Sequence, residues 1–257
     1  TECTLGADAP MPLTLPQISG RKGPRMAGED ITIKTADGAM GGYLARPAAG
    51  RGPGLVVIQE IFGVNQVMRD LADGFAARGY FALAPDLFWR IQPGVQITDK
   101  TDAEWKQAFD LMNKFDSKKG VEDIQATTGT LRQTGGSTGK IGAVGYCLGG
   151  QLAYLTAART DIDASVGYYG VNIQNLLDEA RNIKKPLMLH VAGKDQFTPP
   201  DAQQKIVAGL KGNGHVTIHV YPEMDHAFAR VGGAHYDQAN AELANGRTTT
   251  FFRQHLS

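Results

Sequence analysis

The fold of this chain is decided by the stretch Gly145-Tyr146-Cys147-Leu148-Gly149. It reads G-x-C-x-G, the nucleophile-elbow pattern with cysteine in place of serine. An apolar run, residues 140–144, precedes it, and a helix-favouring run, residues 150–158, follows it. The pattern predicts a sharp strand-to-helix turn that lifts the Cys147 sulfur out of a sheet, where the helix N-terminus favours a thiolate and an oxyanion. The alternative that the motif leaves open is a buried structural cysteine.

Composition narrows the class of protein. The chain has 257 residues, 42% of them hydrophobic, which is enough for one sizeable core. Its 26 Lys and Arg residues balance its 26 Asp and Glu residues, so no nucleic-acid partner is expected. No apolar run approaches the ~18–20 residues of a membrane span, so no membrane partner is expected either. Cys3 and Cys147 are the two cysteines, which argues against a disulfide framework and favours a cytoplasmic location.

The first part of the chain differs from the rest. Residues 1–28 contain four prolines and little periodicity, which predicts an extended arm. The arm lacks the basic start and apolar centre of an intact signal peptide. Residues 29–257 are expected to form a single domain.

Within that domain, apolar runs alternate with helical patterns. Strands are predicted at residues 31–35, 40–47, 55–59, 80–84, 140–144, 164–168, 186–191 and 216–221. Helices are predicted at residues 67–78, 102–113, 119–133, 150–158, 171–182, 200–210 and 236–255. Such alternation predicts an α/β fold with a mainly parallel sheet and helices on both faces.

A cysteine nucleophile needs a base, and the base needs an orienting acid. In hydrolases with this elbow, the chain order is nucleophile, acid, histidine. Asp195 follows the predicted strand 186–191, and His226 follows the predicted strand 216–221. Both therefore belong to the same rim of the sheet as Cys147, the rim where open α/β sheets bind ligands.

Other titratable residues fit a catalytic or metal site less well. Asp225 adjoins His226 but is expected to be an exposed loop carboxylate, and His190 lies inside an apolar strand, as a hydrogen-bonded core histidine would. His215 and His219 are four residues apart on a predicted strand, an arrangement that is neither the helical motif of a zincin nor a zinc finger. Neither a metal nor a cofactor is expected.

Glu60 ends an otherwise apolar strand on the same rim. A carboxylate there is costly unless it is paired or functional. It either forms a salt bridge with a loop arginine or meets the cysteine. The loop that follows is also the place for a second oxyanion donor, so the N–H of Ile61 is expected to act with that of Leu148.

Together, six motifs resemble the dienelactone hydrolase (carboxymethylenebutenolidase) family of the α/β-hydrolase superfamily, over nearly everything after residue 28. They are QEIFGVN (59–65), PDLF (85–88), GYCLGG (145–150), YYG (168–170), GKDQF (193–197) and HAFAR (226–230). The resemblance implies an α/β-hydrolase fold and a triad of Cys147, His226 and Asp195. It implies that Glu60 handles the cysteine proton when substrate arrives. In this family the lactone ring opens to maleylacetate during degradation of chlorinated aromatics.

The resemblance also implies that Arg90 and Arg230 hold a carboxylate of the substrate. A guanidinium can bind a carboxylate with two parallel hydrogen bonds. The alternative for Arg90 and for Arg230 is a solvated arginine on the surface. The remaining substrate contacts are expected from Tyr169, Phe62, Trp89 and Phe197.

Two other functions stay open at this point. One is a broader carboxylesterase or thioesterase that uses the same triad on small anionic esters, and the other is a catalytically silent binding module on the same fold. In either enzyme the partner is a small molecule, and the chain is expected to be a monomer or a small homo-oligomer. A carboxylate repels a thiolate, so Cys147 is expected to rest as a thiol beside Glu60 until a substrate carboxylate competes for the arginine that neutralises Glu60.

Overall fold

An eight-stranded sheet forms the centre of the computed structural model, which describes residues 28–257. Its strands are β1 (Glu29–Lys34), β2 (Ala39–Ala45), β3 (Gly52–Ile58), β4 (Phe81–Pro85), β5 (Ser137–Tyr146), β6 (Ala164–Tyr168), β7 (Leu187–Ala192) and β8 (Val216–Tyr221). They lie in the order β1-β2-β4-β3-β5-β6-β7-β8. β2 pairs antiparallel with β1 and β4, and the other neighbours pair in parallel.

Within residues 28–257, six α-helices connect or flank these strands. They are α1 (Gln66–Ala76), α2 (Asp102–Lys114), α3 (Ser117–Gln133), α4 (Leu148–Arg159), α5 (Pro200–Leu210) and α6 (Gln238–Leu256). Asn65, Thr101 and Asp116 begin the first three, each accepting a hydrogen bond from a backbone N–H of the first turn. Such side chains satisfy donors that have no partner inside the helix, which is why these helices begin where they do.

The helices cover both faces of the sheet. A Cβ at Gly54 of β3 would lie 3.1 Å from Leu131 of α3, whereas one at Gly142 of β5 would lie 2.9 Å from Phe252 of α6. Gly54 pairs with Ile141, the neighbour of Gly142, and neighbouring strand residues point to opposite faces. α3 and α6 therefore pack on opposite sides, and the predicted α/β architecture is confirmed.

One predicted element is wrong. Instead of an α-helix over residues 171–182, the chain forms two short 3₁₀ segments, Ile173–Asn175 and Leu177–Asn182. Between them, the carbonyl of Leu176 accepts from the N–H three residues later, the 3₁₀ spacing. It also accepts a hydrogen bond of 3.0 Å from the Tyr154 hydroxyl, so a tertiary contact takes part in setting this backbone.

The predicted arm, residues 1–28, lies outside the described residues apart from Gly28. The N–H of Gly28 donates to the Tyr43 hydroxyl at 2.7 Å. The division into an arm and a domain stays a prediction.

Candidate active site

Cys147 sits on the turn between β5 and α4. Its φ of 56° and ψ of −114° are unusual for a residue that is not glycine, a strain typical of functional turns. A Cβ at Gly145 would lie 1.9 Å from the carbonyl oxygen of Gly149, so the turn closes because neither position carries a side chain. Cys147 is 9% exposed and opens α4, where the N–H groups of the first turn lack partners inside the helix.

Two further side chains converge on the same rim. His226 comes after β8 and Asp195 after β7, and Nδ1 of His226 lies 2.7 Å from Oδ2 of Asp195. The other oxygen of Asp195 accepts from the N–H of Phe197 at 2.8 Å. The ring of His226 contacts the edges of Tyr169 and Phe197 at centroid distances of 5.1 and 4.8 Å. The imidazole is thus held by a carboxylate and by aromatic packing.

The environment of His226 favours its charged form. Burial lowers the pKa of the imidazole, but the negative charge of the Cys147 thiolate and hydrogen bonds with Asp195 and Cys147 outweigh burial. Together they raise the pKa of His226 to about 10. The pKa of His226 therefore favours the imidazolium at neutral pH, and the expected resting thiol of Cys147 stays a prediction.

Glu60 is paired with an arginine, one of the two alternatives that the sequence left open. Oε2 of Glu60 accepts a hydrogen bond of 2.9 Å from NH1 of Arg230, and Oε1 is buried without a hydrogen-bond partner among residues 28–257. The carboxylate is therefore neutralised by a loop arginine. The same guanidinium donates from NH2 to Oδ2 of Asp99 at 2.8 Å.

A cavity of about 230 Å³ opens beside the sulfur of Cys147. Among the described residues, five more that the sequence singled out line it: Ile61, Phe62, Phe197, His226 and Arg230. Ile61 lies three residues after the end of β3 and lines the cavity together with Cys147, and its role as an oxyanion donor stays a prediction. The walls of the cavity are mostly apolar, which suits a small ligand with few polar groups.

Sequence reasoning missed one wall of this cavity. Trp105, Phe109 and Met112 of α2 line it together, and their spacing of four and three residues places them on one face of that helix. This apolar stripe was readable in the sequence. Asn172 and Gln174 add polar groups, and the amide oxygen of Gln174 is buried without a partner. They lie in the segment whose structure was predicted wrongly, so no local pattern pointed to them.

Arg90 and Trp89 are not among the described residues that line this cavity. The guanidinium of Arg90 pairs with Asp123, which is 1% exposed, and with Asp37 at 2.8 Å. It also stacks on Trp89 at 4.3 Å from the ring centroid, and the indole N–H donates to Asp123 at 3.0 Å. The structure therefore does not bring Arg90 and Trp89 to the cavity beside Cys147, because both groups are engaged by the buried acid Asp123, and their substrate contacts stay predictions.

Tyr169 lies behind His226 rather than on the cavity wall. It has a φ of 37° and is 2% exposed, and its hydroxyl has no hydrogen-bond partner. Burial, together with the charges of Glu60 and Cys147, raises the pKa of its phenol well above the usual value. In this position it packs against the imidazole, and its predicted contact with a substrate stays a prediction.

His190 is a core histidine, as predicted. It is 1% exposed, and its ring nitrogens lie 2.8 Å from the Tyr221 hydroxyl and 2.9 Å from the Thr248 hydroxyl. No cluster of three or more His, Cys, Asp or Glu side chains within residues 28–257 could hold a metal ion. In the same range, no helix is long and apolar enough to cross a membrane.

Comparison with known proteins identifies the family. The model of the "Dienelactone hydrolase family" matches residues 40–256. The "Putative carboxymethylenebutenolidase" of Azospirillum brasilense is 55% identical over 230 residues, 88% of this chain and 99% of the relative. The "Carboxymethylenebutenolidase" of Pseudomonas putida is 39% identical over 227 residues, 88% and 96% of the two chains. The crystal structure of a "Putative Dienelactone Hydrolase" from Klebsiella pneumoniae superimposes with a TM-score of 0.78 at 29% identity, covering 88% of this chain and 98% of the other.

Proposed function

This chain belongs to the dienelactone hydrolase family and is a carboxylic ester hydrolase, and on that premise we propose that it opens the ring of dienelactone to give maleylacetate. One observation carries the proposal. Cys147, the His226–Asp195 pair and Arg230 meet around one cavity of about 230 Å³. A nucleophile, a base and a cation for a carboxylate are the groups that such a substrate requires.

The first chemical step is acylation of Cys147. The thiolate attacks the lactone carbonyl carbon, and the tetrahedral oxyanion accepts hydrogen bonds from the N–H groups of Ile61 and Leu148. The bond between that carbon and the ring oxygen then breaks. The ring oxygen leaves as an enolate that stays attached to the acyl group and takes a proton from the His226 imidazolium. The result is a thioester on Cys147.

Deacylation reuses His226 as a base. Acylation consumes the thiolate whose charge helps to raise the pKa of His226, so the imidazole gives up its proton more easily at this stage. The neutral ring accepts a proton from water, and the resulting hydroxide attacks the thioester carbon. Collapse of the second oxyanion breaks the carbon–sulfur bond and releases the Cys147 thiolate and a carboxylic acid, which loses its proton to solvent. The released enol then tautomerises to the ketone of maleylacetate.

Arg230 recognises the carboxylate that the lactone carries. It lines the cavity, is largely buried, and already pairs with Glu60. A substrate carboxylate therefore competes with Glu60 for the guanidinium. Glu60 then loses its cation, and in this proposal it handles the proton of Cys147 when substrate arrives.

A broader esterase activity is the second candidate, and the cavity walls favour it. Among the described lining residues Arg230 is the one permanent cation, whereas Phe62, Trp105, Phe109 and Phe197 are aromatic. Neutral aromatic esters fit such walls without needing the arginine.

The experiment that decides between these functions is a direct comparison of substrates. The ultraviolet loss of cis- and trans-dienelactone is followed with the purified protein, and p-nitrophenyl acetate is assayed beside it. A higher kcat/KM for either dienelactone isomer supports the proposal, and a higher value for the neutral ester favours the broader esterase. A cytoplasmic location, and a monomer or small homo-oligomer, stay predictions from the sequence.

A further inference from the structure

The guanidinium of Arg230 is divided between two acids. NH1 donates to Oε2 of Glu60 at 2.9 Å, and NH2 donates to Oδ2 of Asp99 at 2.8 Å. The three side chains are between 4% and 12% exposed, so these contacts are well shielded from solvent. Asp99 is not among the described residues that line the cavity beside Cys147, so it acts on that cavity through Arg230.

Because Arg230 is divided in this way, Glu60 receives one hydrogen bond from the guanidinium instead of the two of a bidentate pair. A guanidinium and a carboxylate pair most strongly through two parallel hydrogen bonds. Here NH2 donates to Asp99 and not to Glu60, and within residues 28–257 both Oε1 of Glu60 and Nε of Arg230 are buried without a hydrogen-bond partner. A buried carboxylate oxygen that lacks a hydrogen bond costs free energy. Arg230 therefore holds Glu60 less tightly than it would in a bidentate pair.

Asp99 is fixed independently of Glu60. Its backbone carbonyl accepts a hydrogen bond of 3.1 Å from the indole N–H of Trp105 in α2. Two residues earlier, the N–H of Ile97 donates to the carbonyl of Phe62 at 3.1 Å, which ties this loop to the end of β3. Asp99 therefore keeps its place on Arg230 when Glu60 moves.

We propose that Asp99 is a positioning residue that keeps Glu60 releasable, because it occupies one amino group of Arg230 and so prevents a bidentate Glu60–Arg230 pair. The inference rests on the proposed function, in which a substrate carboxylate competes with Glu60 for Arg230. With Asp99 present, the substrate displaces one hydrogen bond. Without Asp99, both amino groups of Arg230 turn to Glu60, and the substrate has to break a bidentate pair.

The test is a double-mutant cycle of Asp99→Ala and Glu60→Gln, with Cys3→Ser in every protein so that Cys147 is the one reactive thiol. The measured quantity is the apparent Kd of crotonate, a small unsaturated carboxylate. It is obtained from the protection of Cys147 against alkylation by iodoacetamide, followed by peptide mass. This assay requires a reactive thiol and does not require dienelactone to be the substrate.

The proposal predicts coupling between the two positions. Asp99→Ala is expected to raise the Kd of crotonate by a larger factor in the protein that has Glu60 than in the Glu60→Gln protein. The ratio of these two factors, the coupling ratio, is expected to be about ten, which is equivalent to a coupling free energy of about 1.4 kcal/mol. Loss of Asp99 also removes a negative charge near the ligand, which strengthens anion binding. Because that contribution is common to both backgrounds, it cancels from the ratio of the two factors.

Three controls accompany the cycle. Crotonamide, the neutral analogue, is expected to show no coupling. Asp99→Asn keeps an acceptor for NH2 of Arg230 and is expected to give a coupling ratio between one and that of Asp99→Ala. Asp102→Ala removes an exposed acid from the first turn of α2, and its ratio is expected to stay at one.

A coupling ratio of one for Asp99→Ala overturns the proposal. So does an equal loss of crotonate and crotonamide binding, because it would mean that the loop is merely displaced. A chain that shows the predicted coupling but does not hydrolyse dienelactone contradicts the proposed function and leaves the role of Asp99 standing.

Discussion

Oδ2 of Asp195 lies 2.7 Å from Nδ1 of His226, which leaves Nε2 of the imidazole free to face Cys147. The two residues follow neighbouring parallel strands, β7 and β8, and both are at most 6% exposed. A buried carboxylate at this distance fixes the orientation of the ring and stabilises its charged form. In the proposed mechanism, this contact lets the imidazole act first as an acid and then as a base.

We predict that His226, Asp195 and Cys147 act as a unit. His226→Ala is expected to lower kcat/KM for the lactone by a large factor, and Asp195→Asn by a smaller one. The His226→Ala/Asp195→Asn protein is expected to be about as active as His226→Ala alone, because the acid works through the base. Steady-state kinetics on the three proteins check this. Losses that multiply in the double variant would show that the two residues act separately.

The second prediction concerns the charge of His226. Its folded pKa is about 10, above the ordinary value of about 6.5, so the stability it contributes is complete below about pH 6.5 and is lost as pH rises towards 10. Cys147→Ala removes the thiolate charge and is expected to lower the pKa of His226. Nuclear magnetic resonance titration of the imidazole in the two proteins measures the shift.

One result of the titration would contradict this prediction. A pKa of His226 that is the same with and without the thiol would mean that Cys147 rests as a neutral thiol. Iodoacetamide alkylation of Cys147 at pH 6 to 9 gives an independent reading, since a thiolate–imidazolium pair makes the rate nearly constant over this range.

The third prediction separates the two arginines. Arg230→Ala is expected to raise KM for dienelactone about 10- to 100-fold, as for the loss of one charge-assisted contact, and to change KM for its neutral methyl ester far less. Arg90→Ala is expected to change both KM values little. It is expected instead to lower the free energy of unfolding by about 3 kcal/mol, because Asp123 is then buried without its cation.

Urea denaturation and kinetics on both variants check this prediction. Selective loss of dienelactone binding in Arg90→Ala would restore the role that the sequence resemblance implied for Arg90. Equal losses on the anionic and neutral substrates in Arg230→Ala would count against carboxylate recognition by Arg230.

Tyr169→Phe provides the fourth prediction. The Tyr169 hydroxyl is buried and has no hydrogen-bond partner, so its removal takes away an unpaired polar group and leaves the ring against His226. We expect the free energy of unfolding to stay within about 0.5 kcal/mol or to rise, with kcat little changed. A loss of kcat greater than about tenfold would assign the hydroxyl a chemical role.

Cys147, Asp195 and His226 could be predicted from the sequence because the patterns that identify them are local. Cys147 is flanked by glycines within two residues, and Asp195 and His226 follow apolar strands directly. In a parallel sheet the carboxyl ends of such strands meet at one edge. Pattern and topology together therefore bring these three side chains into one region.

The partners of the charged groups could not be read in this way. Arg90 pairs with Asp123, 33 positions away in α3, and Arg230 pairs with Asp99, 131 positions away. Which acid meets which arginine depends on the path of the loop between β4 and α2. That path follows from tertiary contacts such as the hydrogen bond from Ile97 to Phe62, which no local pattern predicts.

The central claim, that Cys147 forms an acyl-enzyme, is tested most directly by the mass of the Cys147 peptide from protein quenched with acid during turnover of dienelactone. Ring opening releases no leaving group, so the account predicts that this peptide gains the mass of the intact lactone, while the peptide containing Cys3 stays unmodified. It also predicts that the Cys147→Ala protein neither gains this mass nor consumes the lactone. An unmodified Cys147 peptide at every quench time, together with undiminished turnover by Cys147→Ala, would contradict the account.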